Sequence, residues 1–330
     1  MEETIALCSA TVAPEEQLVV LGIDIGGTQI KAGMVDELGA ILASRTVETP
    51  SDLEGFVPSL HDAIRWLLEA TTLPAGVGVG CKGIINPDST LVEALPGALH
   101  FLEGQRLSDL VGLPTEVPVF ADNDARVALA GEVVWGAAKG YDDVIMLTLG
   151  AGVGGAVIAN GQLLRGHTGM AGNLGHLTLD PDGAPCACGN RGCLETVFSA
   201  RAIEGEVWTA VHRGYPSSLT RLFREQPQLA TCRTIFQAAS EGDELAQFIV
   251  GKAIHSLAAA IAGLLHVFDP EVVILGGQVV DAGADLLTPL REEVWSRSRQ
   301  LGHEVPIIEQ QVSDKSGIVG AAGLAMAPRG

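Results

Sequence analysis

Four side chains that bind soft metal ions lie close together in the sequence. His176 precedes Cys186 by ten residues, and Cys188 and Cys193 complete a Cys3His set. Zn²⁺ prefers thiolate and imidazole ligands in a closed tetrahedron, and the glycines between Cys188 and Cys193 would let the chain wrap an ion. The spacing therefore predicts a structural zinc site without an open position for water. The alternative is three buried free cysteines.

Two glycine turns could bring backbone N–H groups close to phosphates. Gly26-Gly27 follows an apolar strand predicted over 18–24, and the segment 150–155 follows another predicted over 143–149. Glycine suits this use because a Cβ would hold the amides away from the oxygens and because many of the required φ values are positive. Taken alone, each turn is better explained as an ordinary tight turn. With a third pair, Gly276-Gly277, phosphate binding is the favoured interpretation.

The second turn also fits the G-x-G-x-x-G pattern of dinucleotide-binding folds, through Gly150, Gly152 and Gly155. That pattern requires a helix to begin at the third glycine, so that the helix dipole faces the pyrophosphate. Here a strand and the hairpin signal Asn160-Gly161 follow instead. We therefore reject a dinucleotide-binding fold.

The elements that must position these residues alternate between strands and helices, which predicts an α/β fold. A strand–glycine–strand unit over 18–35 recurs about 125 residues later, over 143–159, and this repeat indicates two related domains. Helices are predicted to run to about Ala70, from 122 to about 136, and over 245–267. A strand over 116–121 leads into Asp122-Asn123-Asp124, which can cap the second of these helices.

Composition restricts the partners. The chain has 330 residues, with 20 Lys plus Arg against 40 Asp plus Glu, so its formal charge is −20. Too few basic residues are present to favour nucleic acid or an anionic membrane, and a hydrophobic content of 47% excludes a disordered chain. Residues 1–16 carry acids and no basic region ahead of an apolar run, so we expect no secretory signal. The apolar stretch 254–268 is shorter than the ~20 residues that span a bilayer, so we expect no membrane span there. We expect a cytoplasmic protein, in which clustered cysteines favour a metal over disulfides.

Five motifs occur in a specific order along the chain. They are Gly22-Ile23-Asp24-Ile25-Gly26-Gly27-Thr28, Asn123-Asp124, Gly172-x-x-Gly175-His176, Cys186-x-Cys188-Gly189-x-x-Gly192-Cys193-x-Glu195, and Gly276-Gly277. In this order they resemble the ROK family (repressors, open reading frames, kinases), of the bacterial glucokinase type. The resemblance runs from Val19 to Met326, and the cysteine motif is its most specific part.

The resemblance implies a two-domain actin-like (ribonuclease H-like) sugar kinase fold, with ATP and a hexose in the interdomain cleft. The small domain would comprise residues 18–120 and a C-terminal helix over about 314–328. The large domain, 121–313, would carry the sugar site, the zinc knuckle and the second phosphate turn. We also expect a homodimer. Family repressors carry an N-terminal DNA-binding domain, which we do not expect because fewer than 20 residues precede the first strand.

The implied activity is ATP-dependent phosphorylation of a hexose or N-acetylhexosamine at the C6 hydroxyl, with Asp124 as the general base. A sugar hydroxyl is a poor nucleophile, and a carboxylate in the cleft can accept its proton as the phosphoryl group transfers in line. The alternative is that Asp122 and Asp124 only cap a helix. Because Asp122 or Asn123 suffices as a cap, Asp124 remains available for chemistry.

The resemblance also implies the binding residues. The sugar would be held by Gly83, Asn123, Asp124, Asn173, His176 and Glu195. The nucleotide would be held by Asp24, which helps to bind Mg²⁺, and by Gly26, Gly27, Thr28, Lys31, Gly150, Ala151, Gly152, Gly276 and Gly277, with the amides of Gly26, Gly27, Gly150 and Gly152 facing the phosphates. His176 is alternatively a zinc ligand only, and Lys31 alternatively a solvated lysine.

Four positions depart from the pattern that the resemblance implies. Asn173 replaces a glutamate that binds sugar hydroxyls, and Ala151 replaces a threonine in the second phosphate turn. Lys82 replaces a proline before Gly83, and Arg126 replaces an asparagine after Asp124. These changes leave the sugar unassigned. They also keep open a second function, that of a non-catalytic sugar-binding protein, although the retained Asp124 favours an enzyme.

Overall fold

The computed structural model describes residues 18–95, 99–281, 286–312 and 316–327. Cys8 and parts of the predicted C-terminal helix, residues 314, 315 and 328, lie outside these ranges. In chain order the strands are β1 (Val19–Ile25), β2 (Gln29–Asp36), β3 (Ile41–Glu48), β4 (Val77–Cys81), β5 (Ile84–Ile85), β6 (Val92–Ala94), β7 (Val119–Asn123), β8 (Val144–Leu149), β9 (Val153–Ala159), β10 (Gln162–Leu163), β11 (Val272–Gly276) and β12 (Ile307–Glu309).

The helices cover the faces and ends of the sheets. They are α1 (Leu53–Ala70), α2 (Leu107–Val111), α3 (Asp124–Trp135), α4 (Glu195–Phe198), α5 (Ala200–His212), α6 (Thr220–Glu225), α7 (Cys232–Ser240), α8 (Glu244–Phe268), α9 (Leu287–Ser298) and α10 (Ser316–Met326). Short 3-10 helices occupy His100–Leu102, Leu174–His176, Pro227–Leu229 and Arg299–Leu301.

Two five-stranded sheets repeat one topology. Their strand orders are β3-β2-β1-β4-β7 and β10-β9-β8-β11-β12. In each sheet an antiparallel hairpin, β1-β2 or β8-β9, lies beside a parallel pair, β1-β4 or β8-β11. This duplication confirms the α/β class and the two related units that the repeated strand–glycine–strand pattern predicts. It also agrees with the actin-like fold that the resemblance implies.

The central strands β1 and β8 are almost continuously buried, which explains their apolar sequences, because elements cover both faces of each sheet. The first sheet is covered on one face by α10, which packs directly on β1 and β4. Gly22 and Gly78 allow this approach, since a Cβ on either would overlap the backbone oxygens of Ile318 or Ala321. Substitution at these glycines would therefore push α10 off the sheet.

Helix α3 connects the two sheets. It follows β7 directly and packs against both α10 and β9. Its Glu132 carboxylate accepts hydrogen bonds from the N–H groups of Gln311 and Val312, with the shortest at 2.8 Å. Because β7 pairs with β4 in the first sheet, the boundary predicted between residues 120 and 121 falls inside a strand. The residue limits of the domains otherwise stay a prediction.

The longest helix, α8, is more extensive than its most apolar stretch suggests. Within the described ranges it is the one helix whose 25 residues and mean hydropathy of 1.8 would suffice to cross a membrane, so the prediction that this segment is too short is corrected. However, 61% of its apolar window is buried inside the protein. Core helices meet the same length and composition criteria, and α8 packs against α5, α7 and α9.

Candidate active site and metal centre

The carboxyl ends of three neighbouring strands bring together Asp124, the predicted general base, and Asp24, which is predicted to help bind Mg²⁺. β1, β4 and β7 run parallel, with Ile25 opposite Cys81 and Cys81 opposite Asn123. Asp24 and Asp124 therefore reach the same edge of the first sheet, where open α/β sheets bind ligands. The Asn123 Nδ2 donates a hydrogen bond to the Gly83 carbonyl at 2.9 Å, which joins the loop after β4 to this edge.

Asp124 lies at the first position of α3, where solvent reaches it. Its Oδ1 accepts a hydrogen bond from the Ala125 N–H at 2.9 Å, and the Asn123 Oδ1 accepts from the same N–H at 3.0 Å. Asn123 is thus the N-cap, as predicted, although Asp124 shares the contact. Surrounding protein raises the pKa of the Asp124 carboxyl, while the Ala125 N–H and the charges of Lys82 and Arg126 oppose this rise.

Asp24 forms the second carboxylate of the cleft. It is the cross-strand partner of Lys31 in the β1–β2 hairpin. Burial raises the pKa of Asp24, the Lys31 charge opposes the rise, and the Asp124 charge adds to it. The two carboxylates are therefore close enough to repel each other. Gly317 in α10 makes room for Asp24, because a Cβ there would overlap the carboxylate.

The glycine turns occupy corresponding positions in the two sheets, but two of their amides already have partners. The Gly26 N–H donates to the Gln29 carbonyl at 3.0 Å, and the Gly150 N–H donates to the Gly152 carbonyl at 2.9 Å. The expectation that four glycine amides face phosphates is therefore corrected for Gly26 and Gly150, which close their own hairpins. Gly27 and Gly152 are the turn glycines left for that role.

The second turn adjoins the end of β11 and the segment that follows the cysteine cluster. Gly276 pairs with Thr148, and Gly277 has a φ of +93° beside the Leu149 carbonyl, so the late glycine pair lies next to this turn. The Glu195 Oε2 accepts a hydrogen bond from the Val153 N–H at 2.9 Å. It also fills the space that a Cβ on Gly152 would need. Glu195, which is predicted to bind the sugar, therefore contacts the second glycine turn.

The structure brings the four predicted metal ligands together. One ligand atom from each of His176, Cys186, Cys188 and Cys193 lies within 4.8 Å of the others. The His176 Nδ1 is 3.6 Å from the Cys186 Sγ, and the Cys188 and Cys193 sulfurs are 3.7 Å apart. Burial raises the pKa of the Cys193 thiol to about 12, and the adjacent thiols add to this rise. A bound divalent cation reverses such a shift, because it favours the thiolate.

The segment that carries His176 packs against the second hairpin. Gly175 lies against the Val153 carbonyl so closely that a Cβ would overlap it. Because His176 directs Nδ1 toward the thiols, its Nε2 is left for another partner. The Asn173 Nδ2 donates to the Met170 carbonyl at 2.9 Å, which fits the interpretation of Asn173 as a turn residue and leaves its Oδ1 as an acceptor.

A buried ion-pair network was not anticipated from the sequence. Asp122 is 1% exposed and accepts hydrogen bonds from Arg126 and Arg165, the latter at 3.1 Å. The Arg126 Nη1 also donates to the carbonyls of Gly169 at 2.9 Å and Ala171 at 3.0 Å. Arg126 thereby joins α3 to the loop before Asn173. The i,i+4 spacing of Asp122 and Arg126 was the available signal.

Comparison with known proteins relates this site to a family. The ROK family model matches residues 20–327. The chain is 36% identical over 312 residues to a glucokinase of Thermotoga maritima, covering 93% of this chain and 97% of that one. It is 33% identical over 313 residues to an N-acetylmannosamine kinase of Shigella flexneri, covering 93% of this chain and 98% of that one.

A solved structure extends the match to the whole fold. The crystal structure of a ROK family glucokinase from Streptomyces griseus in complex with glucose and AMPPNP has a TM-score of 0.79 and 33% identity, covering 94% of this chain and 100% of that one. The actin-like two-domain sugar kinase fold that the resemblance implies is thereby confirmed. Since the family model spans both sheets and the metal cluster, the chain belongs to the ROK family.

Proposed function

We propose that this chain transfers the γ-phosphoryl group of ATP to the C6 hydroxyl of a hexose or N-acetylhexosamine. The observation that carries the proposal is the placement of Asp124. It lies at the strand edge beside a second carboxylate, Asp24, where it can accept the proton of a substrate hydroxyl, and desolvation by the surrounding protein raises its pKa. The relatives named glucokinase and N-acetylmannosamine kinase support the reaction and both classes of sugar.

In the proposed reaction Asp124 accepts the proton of the C6 hydroxyl. The freed electron pair on that oxygen forms a bond to the γ-phosphorus, and the bond from the γ-phosphorus to the β–γ bridging oxygen breaks. ADP leaves with that electron pair. Asp124 has one oxygen occupied by the Ala125 N–H, so its other oxygen serves the hydroxyl. Little covalent work falls to the protein, and positioning supplies most of the rate enhancement.

The phosphate side of the cleft is assigned to the two glycine turns. Gly27 and Thr28 of the first turn and Ala151 and Gly152 of the second would approach the phosphates, with Gly276-Gly277 beside them. Asp24 would help to hold Mg²⁺, since a carboxylate with nearby phosphate oxygens is a typical magnesium ligand set. Bound Mg²⁺ supplies charge neutralisation on the phosphates. In this assignment Gly26 and Gly150 shape the turns rather than bind through their amides.

The sugar side is assigned to residues around Asp124. Asn123, anchored to Gly83, would contact one hydroxyl, and the His176 Nε2 another. Asn173 and Glu195 complete this set. The Asn173 side chain is neutral, and its Nδ2 keeps a second N–H besides the one donated to Met170. That N–H can donate to a substrate acceptor such as an acetamido carbonyl, which bare glucose lacks.

The Cys3His cluster is assigned to a structural Zn²⁺. Three sulfurs and one imidazole nitrogen, all within 4.8 Å, are the soft donor set that zinc prefers. His176 and Glu195 flank the cysteine motif, so bound zinc would fix both ends of the segment that meets the sugar. The proposal also includes a homodimer and the domain limits 18–120 with the C-terminal helix and 121–313, except that residues 121–123 end β7 of the first sheet.

A coupled ADP-release screen tests the function. Wild-type protein and Asp124→Asn would be compared on glucose, mannose, allose, fructose, N-acetylglucosamine and N-acetylmannosamine with MgATP. We expect turnover of at least one sugar, and its loss in the variant. Sugar binding measured by calorimetry without turnover of any sugar would instead favour the non-catalytic sugar-binding function.

A further inference from the structure

Lys82 occupies a fixed place beside the proposed base. It directly follows β4, and the register of Cys81 with Asn123 makes Lys82 the neighbour of Asp124 across the strand ends. The next residue is also constrained, since the Gly83 carbonyl accepts the Asn123 amide at 2.9 Å and Gly83 has a φ of +98°. The backbone that carries Lys82 is therefore held on both sides.

Lys82 is exposed and forms no close ion pair with another described residue. The ion pairs among residues 18–95, 99–281, 286–312 and 316–327 do not include it. Its nitrogen therefore lies more than 4.0 Å from the Asp124 oxygens, yet its charge acts on that carboxyl. Because the two groups are not in direct contact, a substrate oxygen can lie between them in the proposed complex.

Cations are scarce in this chain, which makes this placement specific. Basic residues number 20 against 40 acidic ones. Of the other described lysines, Lys252 pairs with Glu206 at 2.7 Å, and Lys139 lies beyond the far end of α3. Lys31 faces Asp24 from the hairpin. Lys82 is thus the lysine on the hydroxyl side of the cleft.

We propose that the Lys82 ammonium contacts the γ-phosphoryl group of ATP during its transfer, and so acts as a further catalytic residue. This assignment rests on the proposed function. In that reaction the C6 hydroxyl oxygen of the sugar is hydrogen-bonded to the Asp124 carboxylate, and the γ-phosphorus of ATP lies on the other side of that oxygen. Charge accumulates on the equatorial phosphoryl oxygens in the transition state. A cation beside the attacking oxygen stabilises that charge, as a preorganised electrostatic donor does.

Nucleotide binding tests this contact without requiring turnover. Calorimetry would measure AMPPNP and ADP, each with MgCl₂ and glucose, on wild type, Lys82→Met, Lys82→Arg and the control Lys139→Met. Because ADP lacks the γ-phosphoryl group, Lys82→Met should weaken AMPPNP binding about 10-fold and leave ADP binding unchanged. Lys82→Arg should retain most of the AMPPNP affinity, and Lys139→Met should match the wild type for both nucleotides.

Kinetics supply the second readout, on the best sugar of the ADP-release screen. Lys82→Met should lower kcat about 10²-fold with less change in the sugar KM, as expected for removal of one electrostatic donor, and Lys82→Arg should recover part of the rate. Unchanged AMPPNP affinity in Lys82→Met, or equal weakening of AMPPNP and ADP, would overturn the assignment. If wild type turns over no sugar, the proposed function fails, while the AMPPNP and ADP comparison still decides the role of Lys82.

Discussion

The metal cluster and the carboxylate cleft are built in opposite ways. The four cluster residues come from a single segment, residues 176–193, and are gathered by tight turns such as the Gly189 N–H to Cys186 carbonyl bond at 3.0 Å. The cleft residues come from strand ends far apart in sequence, and the sheet register brings Asp24 and Asp124 to one edge. A loop that lacks its own core needs a ligand to order it, whereas a sheet edge is already ordered.

This difference predicts that substitutions in the cluster change the stability of the fold, and that substitutions in the cleft change the reaction rate. Loss of a cluster ligand should destabilise the fold, because metal-binding energy is folding energy. Loss of a cleft carboxylate should lower the reaction rate and leave the fold intact. Asp24 and Asp124 lie at strand ends and are not part of the hydrophobic core of the first sheet. Variants on each side can therefore break or sharpen the comparison.

The largest expected effect is on the cluster. Cys188→Ser should lower the free energy of unfolding by more than ~4 kcal/mol, since loss of a metal ligand is among the few mechanisms of that size. Thermal unfolding of freshly purified protein and metal analysis would measure this, with about one zinc per wild-type chain expected.

A chelator provides the control for this variant. It should lower the Tm of the wild type toward that of Cys188→Ser and change the Tm of the variant little. Zinc-free wild-type protein, purified without chelator and melting like the variant, would contradict the assignment of a structural zinc.

The next effect is on the base. Asp124→Asn should lower kcat by at least ~10²-fold, the low end of general-base contributions, while sugar affinity largely survives because the amide still hydrogen-bonds a hydroxyl. Its Tm should stay close to that of the wild type, in contrast to Cys188→Ser. Equal rates for variant and wild type would show that Asp124 is only a helix cap.

The pH dependence of kcat/KM follows from the same carboxyl. Asp24 faces it from β1, Cys81 and Lys82 from β4 and its loop, and Arg126 from α3. The base works when deprotonated, so a raised pKa predicts that kcat/KM falls as the pH drops through a value above that of an ordinary carboxyl, by about tenfold per unit. Because Lys82 opposes the rise, Lys82→Met should move this limb to higher pH. A limb that stays at the ordinary carboxyl pKa in both proteins would contradict the prediction.

The sequence predicts the cluster better than the cleft, because the cluster residues come from one segment and the cleft residues come from distant parts of the chain. Ligand spacing within one segment is visible in the residues, and the structure gathers all four predicted atoms. The partners of Gly26 and Gly150 N–H groups, and the contacts of Arg126 with Gly169 and Ala171, depend on turn geometry and on residues more than 40 positions away. Spacing carries no signal for such contacts.

Among the elements, buried strands and long helices were predicted closely, and edges were not. β8 begins one residue later than predicted, and α8 extends one residue further than predicted at both ends. Both elements are largely buried, so their sequences are continuously apolar and easy to recognise. β3 was not predicted, because it lies at the sheet edge and exposes Leu42, which obscures its alternation. β12, at the edge of the second sheet, is three residues long and carries too little pattern.

A smaller effect is expected at Asn173. Asn173→Glu offers a charged acceptor, worth about 1 kcal/mol more than a neutral one, or roughly five-fold in affinity for a hexose hydroxyl. We expect glucose to be a weak substrate of the wild type and the variant to raise kcat/KM for glucose relative to the preferred sugar. Asn173→Gln separates side-chain length from charge, since it keeps a donor for Met170. Efficient wild-type kinetics on glucose, with no preference for a modified sugar, would contradict the idea.

The smallest expected effect lies at the second phosphate turn. Ala151 is exposed at the turn and is absent from the described non-glycine residues with positive φ, so a larger side chain there needs no left-handed backbone. Ala151→Thr supplies a hydroxyl donor and should strengthen ATP binding a few-fold, since one neutral hydrogen bond contributes ~0.5–1.5 kcal/mol. Ala151→Val has the same shape without the hydroxyl and should not strengthen binding. Calorimetric titration with AMPPNP would compare the three proteins, and equal affinities for Thr and Val would mean that this turn does not direct position 151 at the nucleotide. Because the turn is closed by its own Gly150 to Gly152 hydrogen bond, neither change should alter the Tm, as the comparison of cleft and cluster requires.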